Sequence, residues 1–346
     1  MPANGRRALQ FGAGLGLSGL FLWLAFRGED WGAIRERLAD ADYRYVALMV
    51  PFGAYNLYAR CQRWKILIER TNRRSVPMMP IYSASAIGFM ANMVLPFRVG
   101  DIARPLLAAR GAGLPVASTF ATSVVERVLD LLALAIFGLG IVMAADVPPE
   151  IRRSAQAAAV LAIVTFAGAI GVVVRRKTVL PKLDHLWRRI PKVGPVLLRL
   201  EHEFVDGMAP IAEPVLLVRL FAWSMWIWFS IAISFAIGFR ATGIDIPFIG
   251  GGITVSTIVA LAVAFPSAPA FVGQFEWGCK VALEQIHGVD GSTAIGYSIL
   301  VHTTQFFTQV LLGVVFLARE GLSLRDLASL NEESAEAAEA DPIPGP

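Results

Sequence analysis

Residues 117–145 read ASTFATSVVERVLDLLALAIFGLGIVMAA, an apolar stretch with three ionisable side chains near its middle. A helix needs about 20 mostly apolar residues to cross the hydrocarbon core of a bilayer, so this stretch is long enough to span one. The whole chain of 346 residues is 55% hydrophobic and 17% charged, with a mean hydropathy of +0.58. A soluble domain is about 25% charged. The sequence therefore predicts an all-α, polytopic membrane protein and argues against a soluble globular enzyme.

Seven further apolar stretches are candidate spans, and two shorter stretches are interrupted by Pro, Gly and charge. The further candidates are 8–26, 43–59, 78–97, 154–174, 215–238, 248–265 and 292–318, and the interrupted stretches are 98–113 and 266–288. Each interrupted stretch directly follows a candidate span. Two arrangements are therefore open. Either eight helices cross the membrane, or about six cross and two re-entrant helical hairpins, about 78–113 and 248–288, enter and leave on one side.

The distribution of Lys and Arg favours six crossings. Cytoplasmic loops normally carry an excess of these residues. With the N-terminus inside, eight crossings place about 16 of them outside and about 13 inside, whereas six crossings place 7 outside and 18 inside. Eight of the 18 lie in segment 175–214, which we expect to be a cytoplasmic interfacial segment. Residues 1–325 would then form a single membrane domain with both termini cytoplasmic, followed by a disordered acidic tail, 326–346.

The two predicted hairpins share a short motif. The first contains PFRVGD (residues 96–101) and the second PAFVGQ (residues 269–274), so both fit P-x-x-V-G-(D/Q). Non-helical backbone at membrane depth is tolerated only where protein or a water-filled cavity satisfies its polar groups, and Pro and Gly favour such a break. Six crossings make the hairpins enter from opposite sides. The sequence therefore predicts an inverted repeat of the kind found in transporters, with both tips lining a cavity.

Ionisable and polar groups within the apolar segments are the candidate site. A charge at the bilayer centre costs about 2.5 kcal/mol or more, so it usually faces a partner or a cavity. Helical spacing places Glu126 and Asp130 on one face, with Arg127 able to reach Asp130. These three either form a buried ion network that fixes helix packing or face a transport cavity. The hairpins add Asn92, Arg98, Asp101, Arg104, Gln274 and Glu276.

Two of these arginines, Arg98 and Arg104, have the fork of donors that suits a phosphate group. The last span contributes His302 and Gln305, and we expect His302 to be a packing residue. Cys61 and Cys279 stand alone and show no metal-binding spacing. The sequence has no P-loop, no H-E-x-x-H and no G-x-S-x-G motif. We therefore predict no metal, no cofactor, no nucleic-acid partner and no enzymatic activity.

The motifs together resemble the lysylphosphatidylglycerol synthase transmembrane, or flippase-like, family. The resemblance covers roughly residues 8–320 and is carried by NMVLPFRVGDIAR (92–104), Glu126-Arg127, Asp130 and PSAPAFVGQFE (266–276). It implies paired re-entrant segments and movement of lipids between leaflets, in pathways that include glycolipid and hopanoid ones. The site residues that it implies are Asn92, Arg98, Asp101, Arg104, Glu126, Arg127, Asp130 and Glu276.

The chain departs from the family pattern at two positions. Gly100-Asp101 stands where the family often has Gly-Glu, and Pro269-Ala270 stands where it often has Pro-Gly. Fused family members also carry a soluble aminoacyl-transfer domain. Because this sequence continues only briefly after the last span, we do not expect synthase activity.

Two functions of different classes remain open at this point. In the first, the protein is a lipid flippase of the bacterial inner membrane, with Arg98 and Arg104 holding an anionic head group. The carboxylates Glu126, Asp130 and Glu276 would balance those arginines or bind a proton or a cationic head group. In the second, it is a non-transporting accessory or scaffold protein for lipid-biosynthesis enzymes, which segment 175–214 would bind. An intramembrane enzyme is disfavoured because no nucleophile or metal set accompanies the carboxylates.

Overall fold

The protein is a bundle of helices. The computed structural model describes residues 16–178, 180–181, 194–264 and 269–327, and within these ranges all regular structure is helical. The helices are α1 (Gly16–Phe26), α2 (Trp31–Ala39), α3 (Tyr43–Asn72), α4 (Met78–Val94), α5 (Val99–Ala112), α6 (Val116–Ala144), α7 (Pro149–Val174), α8 (Gly194–Met208), α9 (Pro214–Thr242), α10 (Phe248–Ala262), α11 (Gln274–Lys280) and α12 (Gly291–Arg319). The predicted all-α class is confirmed.

Parts of four predicted segments lie outside the described residues. They are the beginning of the first candidate span (8–15), much of the predicted interfacial segment (179 and 182–193), part of the predicted second hairpin (265–268) and nearly all of the predicted tail (328–346). The described end of the interfacial segment is helix α8, which packs against α6 and α7.

Four helices in the described part of the chain, α6, α7, α9 and α12, are long and apolar enough to cross a membrane. Helix α7 shows the lipid-facing character most clearly. Its side chains Val160, Leu161, Ile163 and Val164 are each about 60% exposed. So large an apolar face is stable in contact with lipid but not with water. Together these features establish a polytopic helical membrane protein.

The first predicted hairpin consists of α4 and α5, which pack closely against each other. The helix breaks after Val94, at a 3₁₀ turn over Pro96–Arg98 in which Arg98 has a φ of 53°. Gly100 makes the close packing possible. A Cβ atom at this position would overlap the Gly88 carbonyl oxygen on α4, so the two backbones are in direct contact.

The second predicted hairpin consists of α10 and α11, separated by a 3₁₀ turn over Pro269–Phe271. Ala270 and Phe271 both have a φ of 59°, and Gly273 has a φ of 90°. Positive φ is uncommon for residues other than glycine and costs about 1 kcal/mol or more, so the surrounding contacts must hold this turn in place. After α11 the chain continues in a π-helical turn, Val281–Ile286.

Contacts between chain segments define the two ends of the bundle. At one end, the Asp42 N–H before α3 donates to the Ala241 carbonyl near the end of α9, at 2.8 Å. Lys280, the last residue of α11, lies at this same end of the bundle. Its Nζ is 2.5 Å from a carboxylate oxygen of Glu29, in the segment between α1 and α2. Helix α10 begins six residues after α9 ends, so the α10–α11 hairpin opens at this end.

The opposite end contains the C-terminal end of α3. There Arg70 forms an ion pair of 2.6 Å with Glu213, directly before α9. Arg74 donates to the carbonyl oxygen of Ala112, the last residue of α5, at 2.5 Å. The α4–α5 hairpin therefore opens at the end of the bundle opposite to that of the α10–α11 hairpin.

Candidate functional site

A cavity of about 580 Å³ lies where the two helical hairpins meet. Helices α3, α6, α9 and α12 complete its wall. The charged and amide side chains on this wall are Asn56, Arg60, Asn92, Arg98, Asp101, Arg127, Asp130, Gln305 and Gln309, with His302 beside them. Much of the remaining surface is apolar and aromatic. Small-molecule sites typically measure about 300–1,000 Å³ and combine apolar walls with a few polar groups, so this cavity has the size and character of a ligand site.

Asp101 is the centre of the first group of polar residues on the cavity wall, which we call the Asp101 cluster: Asn92, Arg98, Asp101 and Arg127. The Asp101 Oδ1 atom accepts from Asn92 Nδ2 at 3.0 Å and from Arg127 Nη2 at 2.6 Å, and Arg98 Nε lies 3.2 Å from Oδ2. The cluster holds two arginines and one carboxylate. Its charged side chains are between a third and a half exposed, so a ligand in the cavity can reach them.

Arg98 connects the two helix breaks. It is the residue of positive φ that ends the first break, and its Nη1 donates to the Val263 carbonyl at the end of α10, at 3.4 Å. Its guanidinium carbon lies 5.5 Å from the ring centre of Phe271 in the second break. A side chain in this position contacts both hairpins and the cavity at once.

Arg60 on α3 is a third cationic side chain on the wall. Its Nε donates to Asn56 Oδ1 at 3.0 Å, and its Nη1 is 3.6 Å from Asp130 Oδ2. The guanidinium lies 5.7 Å from the ring centres of both Phe89 and Trp228. Arg60 is therefore held between two aromatic rings and shares only one carboxylate, which Arg63 also contacts.

Behind the cavity wall lies a buried ion cluster formed by Arg63, Arg104, Glu126 and Asp130. Arg63 Nη1 donates to Asp130 Oδ1 at 2.5 Å, and its Nη2 donates to Glu126 Oε1 at 3.1 Å. Arg104 Nη2 bonds to the second oxygen of Glu126. Every one of these side chains is less than 10% exposed. Two positive and two negative charges thus compensate each other in the interior of the bundle, as buried charges require, and Asp130 is the member that also reaches the cavity wall.

The position of Arg104 differs from the expected one. Its guanidinium carbon lies 3.9 Å from the ring centre of Trp64, and the Trp64 Nε1–H donates to Thr122 Oγ1 at 3.0 Å. Arg104 does not line the cavity. It is occupied by Glu126 and by the indole face, so its role in this structure is to join α5 to α3 and α6. Arg60 is the arginine that faces the cavity beside Arg98.

Arg127 and Asp130, which the sequence predicts to be within reach of each other, contact residues on two other helices instead. Arg127 follows Glu126 directly and so points about 100° away from it around the helix, toward α5, where it meets Asp101. Asp130 instead faces α3 and contacts Arg60 and Arg63. Glu126 and Asp130 do share one face of α6, as their spacing predicts.

The second break is held by Glu276 and His302. The Glu276 Oε2 atom accepts from the Gly273 N–H at 2.7 Å, and its Oε1 is 2.6 Å from His302 Nδ1. His302 Nε2 is 2.8 Å from the Ala270 carbonyl oxygen. The ring of Phe275 stacks on the imidazole with a centre-to-centre distance of 4.2 Å. His302 thus contacts the second break through both ring nitrogens, and it also lines the cavity.

Comparison with known proteins places the chain in a family. Residues 12–313 match the protein family described as "Lysylphosphatidylglycerol synthase TM region". The chain belongs to this family. The glycosyltransferase AglD of Haloferax volcanii is 24% identical over 356 aligned residues, which cover 94% of the chain and 56% of AglD. The chain therefore spans a little over half the length of this relative. No solved structure matches the chain.

The nine predicted site residues lie in three places. Five of them line the cavity: Asn92, Arg98, Asp101, Arg127 and Asp130. Arg104 and Glu126 lie in the buried ion cluster, which Asp130 also joins. Glu276 holds the second break, and Gln274 is fully buried at the start of α11. The structure thus brings the first hairpin and α6 together at one wall and sets the second hairpin across the cavity.

Arg60 and Arg63 are site residues that the sequence did not predict. Both follow the predicted second span, 43–59, and so belong to the 18 Lys and Arg that six crossings place on the cytoplasmic side. Helix α3 instead continues to Asn72, and both side chains point into the bundle. A signal was present: two carboxylates on one face of α6 need nearby cations, and Arg127 alone cannot compensate both.

Groups of three or more His, Cys, Asp or Glu side chains that could hold a metal ion do not occur among the described residues. Cys61 and Cys279 are both fully buried and unpaired with each other. The cavity wall offers a ligand guanidinium donors, amide groups and two carboxylates.

Proposed function

We propose that the protein is a lipid flippase. A polar lipid head group would cross the membrane through the cavity between the α4–α5 and α10–α11 hairpins, while its acyl chains stay in the bilayer. The observation that carries this proposal is the cavity itself: about 580 Å³, at the meeting point of two helix breaks, with Arg60, Arg98 and Arg127 on its wall. Membership of the lysylphosphatidylglycerol synthase TM region family supports a role in lipid handling.

The proposal includes six crossings and two re-entrant hairpins in an inverted repeat, in the inner membrane of a bacterium with both chain termini cytoplasmic. Its support is that the hairpins open at opposite ends of the bundle. The bond between Asp42 and Ala241 adds support, because eight crossings would put these residues on opposite sides.

Sidedness can be tested with introduced cysteines, because both native cysteines are fully buried. Arg35 on α2 and Lys177 after α7 are exposed and are expected on opposite sides. Arg35→Cys should react with a membrane-impermeant maleimide in intact spheroplasts, and Lys177→Cys only after permeabilisation. Equal labelling of both before permeabilisation, or the reverse order, would contradict six crossings.

The charge of the cavity wall favours an anionic head group, such as a phosphate. The cavity wall and the buried ion cluster behind it together hold five arginines and three carboxylates, an excess of two positive charges. Arg98 and Arg60 present guanidinium forks, which bind phosphate oxygens in a bidentate manner. Arg60 takes the place that the sequence assigned to Arg104.

A translocation assay with purified protein in liposomes tests the function. The probe is head-group-labelled phosphatidylglycerol, compared with labelled phosphatidylcholine. Losing one charge-assisted hydrogen bond costs about 1.5–3 kcal/mol, so Arg60→Ala and Arg98→Ala should each slow phosphatidylglycerol movement by about 10–100-fold. Arg152→Ala is the matched control, because Arg152 is exposed on α7 and does not line the cavity. Unchanged rates in both cavity variants would defeat the site assignment.

The relative AglD favours a second candidate function. AglD is named a glycosyltransferase, and the chain aligns with 56% of it. The protein would then be an accessory subunit that supports a separate lipid-biosynthesis enzyme and transports nothing itself. Translocation by the purified protein alone would exclude this alternative. Absence of translocation, together with co-purification of a lipid-modifying enzyme, would favour it.

A further inference from the structure

The imidazole of His302 lies between two hydrogen-bond acceptors. One ring nitrogen, Nδ1, is 2.6 Å from a Glu276 carboxylate oxygen, and the other, Nε2, is 2.8 Å from the Ala270 carbonyl oxygen. A carbonyl oxygen and an ionised carboxylate only accept, whereas a neutral imidazole carries a single N–H. A neutral His302 beside an ionised Glu276 can therefore satisfy one of these contacts, and the other would place two lone pairs against each other.

Two protonation states satisfy both contacts. In the first, His302 is an imidazolium that donates from both nitrogens to an ionised Glu276 and to Ala270. In the second, a neutral Glu276 carboxyl donates to Nδ1, while Nε2–H donates to Ala270. Both states hold one proton more than the neutral imidazole with an ionised carboxylate. The geometry thus requires one extra proton on the pair, whichever atom carries it.

The Glu276–His302 pair is buried from bulk water but can be reached from the cavity. The pair is less than 10% exposed, and the ring of Phe275 covers one face of the imidazole. Among the described residues, the titratable or charged groups near the pair include the buried thiol of Cys279 on α11 and the Arg98 guanidinium, which lies over Phe271. His302 lines the cavity, so water there can deliver or accept the proton.

The proton also holds the strained turn of the second hairpin. Ala270 and Phe271 have positive φ, and the His302 contact holds the Ala270 carbonyl in that conformation. Glu276 at the same time binds the Gly273 N–H. If the proton leaves, one bond of this set must break, and the strained turn loses a contact that keeps it in place.

We propose that Glu276 and His302 form a proton-binding site that couples protonation to the conformation of the second hairpin. Bound to one proton, the pair locks the break between α10 and α11 in the arrangement described here. Loss of the proton to cavity water frees the break to change shape. The consequence for transport, that a proton gradient biases lipid movement, rests on the proposed flippase function, whereas the proton itself does not.

The proton can be located spectroscopically in the full-length protein. The chain has four histidines, so a His185→Gln, His202→Gln, His287→Gln variant keeps only His302. Nitrogen-15 NMR of this variant at pH 7 reports whether both ring nitrogens are protonated. The infrared carboxyl band lost on Glu276→Gln reports whether Glu276 is neutral. We expect one of these two signals. A neutral imidazole together with an ionised Glu276 would overturn the proposal.

Glu276→Gln is also the matched variant for function. Its amide can donate to His302 Nδ1 and accept from the Gly273 N–H, so it imitates the state with a neutral Glu276 and removes the carboxylate that shares the extra proton. A pH difference of one unit corresponds to a factor of about ten, so it should change wild-type translocation by up to about tenfold and leave Glu276→Gln unchanged. If the rate of wild-type translocation does not depend on the pH difference, the coupling between protonation and lipid movement is overturned, but the flippase proposal stays intact. No translocation under any condition would defeat the flippase proposal, and the spectra would still decide the proton site.

Discussion

Replacing Arg63 by methionine is the sharpest test of how the bundle is held together. The Arg63 guanidinium donates to both carboxylates of the buried ion cluster, and its Nη1 also lies 2.6 Å from Ser224 Oγ. Methionine keeps much of the side-chain length but removes the charge. Glu126 would still have Arg104, whereas Asp130 would keep only Arg60, at 3.6 Å.

The expected cost follows from burial. Arg63 is 1% exposed and its two carboxylate partners are nearly as buried, so the carboxylates cannot recover the lost interaction from water. Removing one partner of a buried ion pair costs about 3–5 kcal/mol. We expect Arg63→Met to lose this much of the free energy of unfolding, measured by titrating the purified protein from dodecyl maltoside into SDS.

Two further variants make the test specific. Asp130→Asn combined with Arg63→Met restores equal numbers of charges in the cluster, so the double variant should recover about 1–3 kcal/mol relative to the sum of the single changes. Arg44→Met removes an arginine from the same helix, but from a pair with Asp42 at the surface, and should leave unfolding unchanged. A cost for Arg63→Met below about 1 kcal/mol, or strictly additive single changes, would refute the structural role of the cluster.

Three other predictions concern packing and access. Gly100→Ala places a methyl group against the α4 backbone and should cost about 1–3 kcal/mol or more of unfolding free energy, whereas Gly140→Ala, with open space around it, should cost nothing; equal effects would contradict the close packing. Ser234 lines the cavity, so a Ser234→Cys variant should react with a water-soluble thiol reagent. The same reagent should leave the wild-type protein unmodified, because both native cysteines are buried. No reaction of the variant would argue against a hydrated cavity. Trp64→Phe should lower the free energy of unfolding by about 1 kcal/mol through the lost hydrogen bond to Thr122. Trp64→Leu should lower it clearly more, because the aromatic face under Arg104 is also lost. Equal thermal denaturation temperatures of the two variants would refute the contact between Arg104 and the indole ring.

Much of the fold was predictable because membrane insertion imposes strong local rules. Long apolar stretches predicted α6, α7, α9 and α12 within a few residues of their observed bounds. The Pro and Gly of the P-x-x-V-G motif predicted where the two hairpins break, since those residues remove hydrogen bonds or permit unusual backbone angles. The strained conformation of Ala270 and Phe271 was not predictable, because neither residue type favours positive φ.

The site was predicted less completely, because ion pairs between distant helices leave little trace in a local pattern. Glu126 and Asp130 were recognised by their position in an apolar span. Their partner Arg63 was not, since it lies in a part of α3 rich enough in charge to resemble a loop. Arg60 and Arg63 were counted as cytoplasmic in the charge balance, and the excess on that side remains when both are left out. Partner choice depends on how helices rotate against each other, and one sequence does not contain that information.

The attachment of the two hairpins to the rest of the bundle differs in kind. Helix α5 is fixed through Arg104 to Glu126, the same carboxylate that holds α3, so moving the first hairpin would separate compensated charges in a dry interior. The break of the second hairpin is fixed by an imidazole and a carboxylate beside the cavity. If the protein changes conformation during a transport cycle, the two hairpins should therefore move unequally. The first hairpin should stay fixed to the bundle, and the second should be the one that moves.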